Sequence, residues 1–156
     1  MKKIIALLLI ITSSFSINNK FIYVDKEINI FKKIDIKEKK KEHIIKKYNG
    51  YITAYGPDCK GCSGITASGL NVKKTIYYHD KEYGKIRIVA ADKSIPFGTI
   101  VRINYNKTIV IAIVLDRGSA IGFNRNALFD LLYKSERESN KFGKKKASFE
   151  ILRYGY

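Results

Sequence analysis

The stretch Thr108–Tyr133, "TIVIAIVLDRGSAIGFNRNALFDLLY", sets two features against each other. It opens on a β-branched apolar run ending at Leu115, the pattern of a strand buried on both faces. It then puts Asp116 directly after that run and Asp130 between Phe129 and Leu131. A third aspartate, Asp92, ends a similar run in "IRIVAADKSIPFG". The chain has only 14 acidic residues against 30 basic ones, so three carboxylates in apolar company need a reason.

The flanking sequence has the same β texture. "GYITAY" from Gly50, "GKIRIVAA" from Gly84, "GTIVRINY" from Gly98 and "ASFEILRY" from Ala147 alternate apolar and polar residues or run fully apolar. Pro96-Phe97-Gly98 is a turn signal before the third of these. Between the last two strands, Ser135 followed by Glu138 fits a capping box and Gly143 fits the position after a helix end. One short helix is expected there. Five or six strands with little helix suggest a mainly β chain folded as a small closed barrel.

The N-terminal third reads differently. "MKKIIALLLIITSSFS" follows the order of a secretory signal peptide, with two lysines, an apolar run and then small polar residues. Residues 1–16 are read as that signal, with processing near Ser16, and the run is too short to span a bilayer. Residues 17–48 are charged and low in complexity, and read as a basic linker. Asn49-Gly50 reads as a turn at the boundary, leaving residues 49–156 as the folded domain. The formal charge is +16, carried mostly by dispersed lysine (24 of the 30 basic residues). Groove-reading nucleic-acid binders lean on arginine and a concentrated patch, so no nucleic-acid partner is expected. Attraction to anionic polymers is expected.

Cys59 and Cys62 form "CKGC". Zinc needs four ligands, and the chain adds only His43 and His79, without paired spacing. Gly61, Ser63 and Gly64 make this a loop rather than a redox helix start. A local disulfide or two free thiols remain open.

Glycine lies close to Asp116, and Asp92 precedes Ser94-Ile95-Pro96-Phe97-Gly98. Burial raises a carboxyl pKa because the charged form loses solvation, and a second carboxylate raises it further. One such group can stay protonated near neutral pH and act as a general acid. The plainer reading makes Asp92 and Asp116 turn residues and Asp130 a helix cap or a surface position on an amphipathic face.

Together, "ITAYGPDCKGCSGITASG", "VAADKSIPFGTIVRI", "VLDRGSAIG", "LFDLLY" and "FGKKKASFEIL" resemble the 3D domain, named for three aspartates. That domain is found in membrane-bound lytic transglycosylase A and in small secreted stationary-phase and resuscitation-type wall proteins. The resemblance implies a six-stranded double-psi β-barrel with one or two short helices. It also identifies Asp92, Asp116 and Asp130 as the three aspartates. The sequence departs from the family pattern between the second and third. Gly122-Phe123 stands where a Lys-Gly pair is usual, with about three extra residues before Asp130.

The implied activity is cleavage of the β-1,4 bond between N-acetylmuramic acid and N-acetylglucosamine in peptidoglycan. The product carries a 1,6-anhydro ring, and neither cofactor nor metal is needed. Asp130 would be the acid/base, with Asp116 and Asp92 raising its pKa, orienting it or stabilising positive charge. Thr66, Ser68 and Gly69 resemble the family's substrate-cleft edge, or form an ordinary turn. Tyr55 is either a sugar-stacking ring or core. Two rival readings stand beside this one. The first is a non-catalytic glycan-binding module on the same barrel. The second is a carboxylate site for Ca²⁺ or Mg²⁺, which the lack of EF-hand spacing disfavours.

Overall fold

A computed structural model describes residues 43–156. The signal segment 1–16 and nearly all of the linker 17–48 lie outside the described residues. Seven strands form, β1 (Lys46–Tyr55), β2 (Tyr77–Asp80), β3 (Gly84–Ala91), β4 (Ile100–Tyr105), β5 (Thr108–Arg117), β6 (Phe129–Leu132) and β7 (Lys145–Arg153). One helix, α1 (Glu136–Phe142), precedes β7. Among the described residues, no helix is long and apolar enough to cross a membrane.

Six strands close on themselves in the order β1, β6, β3, β5, β4, β7 and back to β1. β2 pairs with the first half of β3, ahead of the residues that meet β6. Two pairs are parallel, β1 with β6 and β3 with β5, and the other barrel pairs are antiparallel. The described residues are thus mainly β, a six-stranded mixed barrel with one short helix. Closure removes the unpaired edges that would otherwise invite another chain.

Period-two alternation fills the interior. Ile52, Val89, Val101, Ala112, Leu131 and Phe149 bring one side chain from each barrel strand into a single apolar cluster. The Phe129 and Phe149 rings meet there at 4.9 Å between centres. The opposite residues of β3 and β5 face outward, yet Ile88, Ile113 and Leu115 are buried too. They lie under a second cluster that includes Val72 and Ile76 of the long β1–β2 connection. β5 is therefore buried on both faces only in its second half, and Ile109 at its start is exposed.

The helix forms where the capping box was read. Ser135 Oγ accepts from the Glu138 N–H at 3.2 Å, and the Gly143 N–H donates to Ser139 O. Gly143 has φ +64°, a value that favours glycine at a helix end. β2 and β6, four residues each, were not separate strands in the sequence reading. Such short pieces carry too little alternation to register.

The boundary is where sequence and structure part. Asn49-Gly50 is not a turn. It sits inside β1, where Asn49 pairs with Ser148 and Gly50 with Ala147, so the barrel begins three residues earlier, at Lys46. The glycine serves close approach instead. A Cβ on Gly50 would lie 2.8 Å from Leu128 Cδ1, and Leu128 is buried. Gly50→Val is therefore expected to overpack this contact and cost about 1–3 kcal/mol, measurable by urea denaturation.

Candidate functional site

Four barrel strands place one row of residues side by side across the outer wall. Thr53 of β1 pairs with Asp130 of β6, Asp130 pairs with Ala90 of β3, and Ala90 pairs with Asp116 of β5. Two of the three aspartates thus flank one alanine. With about 4.8 Å between neighbouring strands, their Cα atoms stand about 10 Å apart.

A bulge makes this row possible. Ala112 and Val114 of β5 point into the barrel, and Ile113 and Leu115 point out. Strict alternation would turn residue 116 inward. The pairing shifts between Val89 and Ala90, so that Val89 meets Val114 but Ala90 meets Asp116. Leu115 is the extra residue, and the bulge re-aims Asp116 onto the outer face.

Asp116 is held by three donors. The Tyr55 hydroxyl donates to Oδ2 at 2.7 Å, and the Ala67 and Arg117 N–H groups donate to Oδ1 at 2.8 Å each. Tyr55 packs against the small cluster of Ala90, Ile121 and Ala127. Burial, the Asp116 charge and hydrogen bond, and the Asp130 charge all push its phenol above the ordinary range.

Asp130 has the opposite environment. Its Oδ1 is enclosed and has no hydrogen-bond partner among the described residues. Burial first and the Asp116 charge last push its carboxyl up to about 6, with a hydrogen bond from the Thr53 side chain pulling the other way. An acidic group tuned near 6 can both give and take a proton under mild conditions.

Asp92 does not join this pair. It follows β3 and caps a turn, accepting from the Ser94 N–H at 2.9 Å. That bond, helped by the Ser94 side chain, the Lys93 amide and the Arg125 charge, holds its carboxyl below the usual range. The charge acting on Asp130 is that of Asp116, whereas Asp92 acts on Arg117. Arg117 lies on the Phe97 ring at 3.8 Å and donates to Asp92 O at 3.3 Å. It thus ties the second aspartate's strand to the first aspartate's loop. The sequence reading missed it, although its place directly after Asp116 was the available signal.

Thr66, Ser68 and Gly69 form a turn that also borders the site. Thr66 Oγ1 accepts from the Leu70 N–H, the Gly69 N–H donates to Thr66 O, and Gly69 has φ +88°. The Ser68 N–H donates to Leu115 O, and the neighbouring Ala67 N–H reaches Asp116. Thr66 is buried, so its side chain builds the turn rather than facing the solvent. Cys59 and Cys62 are joined as a disulfide with Cα atoms 5.1 Å apart. Asp58 beside them accepts from the Glu136 N–H at the start of α1.

The departure at Gly122-Phe123 forms a closed turn beside Asp92. The Gly122 N–H donates to Ala127 O and the Arg125 N–H to Gly122 O, so residues 122–127 close on themselves. Phe123 is half exposed and packs on Tyr48 at 4.8 Å. Gly122 instead presses on Asp92, where a Cβ would lie 3.3 Å from Oδ2, and its φ of +146° favours glycine. No group of three or more His, Cys, Asp or Glu able to hold a metal occurs among the described residues.

Fold and site together define a small closed barrel that carries a carboxylate pair on its outer wall. Residues 87–153 match the 3D domain family. Over 103 residues it is 37% identical to the "SPbeta prophage-derived uncharacterized protein YorM" of Bacillus subtilis (strain 168). Over 102 residues it is 32% identical to the "Putative cell wall shaping protein YabE" of the same organism. Those alignments cover 65% and 64% of this chain, but only 40% and 21% of the two relatives. Among solved structures, the Streptomyces papain inhibitor aligns over 70% of this chain and 97% of its own (TM-score 0.47, 17% identity). A Clavibacter michiganensis expansin in complex with cellohexaose aligns over 69% of this chain and 51% of its own (TM-score 0.44, 16% identity).

Tyr55→Phe should test the support of Asp116. Removing one of three donors to that carboxylate is expected to lower stability by about 1 kcal/mol, read from thermal melting.

Proposed function

We propose that the protein is a secreted lytic transglycosylase acting on peptidoglycan, with Asp130 as its acid/base. The observation that carries this reading is the unequal pair, one carboxyl raised to about 6 in an enclosed setting beside a second held by three donors. Environments that pull two carboxylates apart separate their roles. Protonated Asp130 gives its proton to the glycosidic oxygen as the bond to muramic acid breaks. The Asp116 charge, oriented by Tyr55, offsets the oxocarbenium-like charge that develops. The muramic acid C6 hydroxyl then attacks the anomeric carbon, and Asp130 takes its proton. The nucleophile belongs to the substrate, so a second carboxylate need not activate water, as a hydrolase's must.

A non-catalytic glycan-binding role is the second reading, and one feature favours it. Asn49, Tyr51, Asn104 and Ser148 line an open groove of about 590 Å³ on the wall formed by β1, β7 and β4. Amides, a hydroxyl and an aromatic ring suit sugars, and this groove does not include the carboxylates. Mass spectrometry of digested peptidoglycan separates the readings, since only cleavage releases 1,6-anhydro ends.

Asp130→Asn should reduce anhydro product by about 10²–10⁴-fold while the barrel stays folded. In the active protein the rate should fall as pH rises through about 6, because the proton donor is lost. Stability follows the same group. Its folded pKa lies above the ordinary 3.8, so its contribution is complete below about 4 and is lost as pH rises through about 6. At pH 7 Asp130→Asn should therefore be as stable as the parent or more stable, by up to about 3 kcal/mol. The difference between the two melting curves should vanish near pH 4.

Export through residues 1–16 and a linker over 17–48 belong to the same proposal. N-terminal sequencing of the protein recovered outside the cell should begin at Ile17, and a mature chain beginning at Met1 would refute processing.

A further inference from the structure

A basic cavity is lined by the same β1–β2 connection that holds Asp116. The β1–β2 connection sends Ala67 to that aspartate, and a few residues later it forms one wall of a cavity of about 290 Å³. Lys73, Lys74, Lys85 and Lys134 line the cavity, with Thr75 and Tyr77. No aspartate, glutamate or arginine is among its lining residues.

Two of the lysines are set by their neighbours. The Lys73 stem lies across Gly64, where a Cβ would come within 2.6 Å of Lys73 Cγ and 2.7 Å of Cε. Gly64 has φ +72° and accepts from the Val72 N–H, which fixes the loop against itself. Lys85 Nζ stands 4.6 Å from the centre of the Tyr77 ring. The other two arrive from different parts of the chain, Lys74 beside Lys73 and Lys134 from the segment between β6 and α1. Folding has thus brought four lysines to the wall of one small space, an arrangement that favours an anion there.

We infer that this cavity binds a phosphoryl group of a phosphodiester-linked polyol polymer. Lysine meets phosphate as a point charge, whereas paired recognition of carboxylate favours the planar fork of arginine, which is absent from the cavity. The formal charge of +16 favours a polymer over a small ion, because a polyanion meets the surrounding field at many points. The inference does not depend on Asp130 or on glycan cleavage.

Binding of fluorescent poly(glycerol phosphate) to the full chain at about 150 mM salt, where distant charges are screened, tests it. Lys73→Gln/Lys134→Gln should weaken binding about tenfold, while Lys60→Gln/Lys141→Gln, with the same change in net charge, should alter it less than about twofold. Melting curves of both variants establish that the barrel is intact. Equal losses in the two variants would overturn the site in favour of general charge attraction. Polyglutamate binding as tightly would overturn the phosphate preference, and inorganic phosphate binding as tightly as the polymer would overturn the polymeric ligand. Unchanged glycan cleavage in Lys73→Gln/Lys134→Gln would support a separate site, and loss of cleavage at saturating glycan would count against it.

Discussion

The site depends on the backbone of Ala90 being shared. On one side it pairs with Asp130 of β6, and on the other with Asp116 of β5. The first pairing closes the barrel, since without β3 against β6 the sheet would end in two open edges. The second exists only because the bulge at Leu115 turns Asp116 outward. Barrel closure and assembly of the carboxylate pair are one event.

The two carboxylates differ in burial and in hydrogen-bond supply. Asp116 meets a phenol and two backbone amides. Asp130 has an enclosed oxygen with no partner among the described residues. Leaving a buried polar atom unpaired costs stability, and such a cost is commonly retained where a group must change its protonation. The three donors to Asp116 come from β1, the β1–β2 connection and β5. Residues 87–153, the part matching the 3D domain, begin in β3. The Thr53, Tyr55 and Ala67 contributions therefore come from the preceding segment, which the barrel needs for closure as well.

The β1–β2 connection does three jobs with one chain segment. Val72 and Ile76 cover the outer apolar face of β3 and β5. Ala67 orients Asp116. Lys73 and Lys74 line the basic cavity. A shift of this loop would disturb packing, electrostatics and charge placement together, and its turn at Thr66 to Gly69 is tied down by backbone bonds at both ends.

Much of the barrel was legible in the sequence because β-branched runs and turn glycines are local signals. The strands β3, β4, β5 and β7 and the capped helix were read from such patterns, and the three aspartates stood out by their apolar company. Non-local pairing decided the rest. Asn49-Gly50 reads locally as a turn, but Ala147 on one side and Leu128 packing on the other make it a strand interior. Asp92 and Asp116 look alike, each following an apolar run. One caps its own turn, while the other is swung by a bulge to a phenol sixty-one residues away. Sequence alone determined which residues are apolar, where turns can form and which carboxylates would be costly to bury. Only the tertiary structure decided which two of the three share an environment, because a pKa depends on burial and on partners brought in from distant strands.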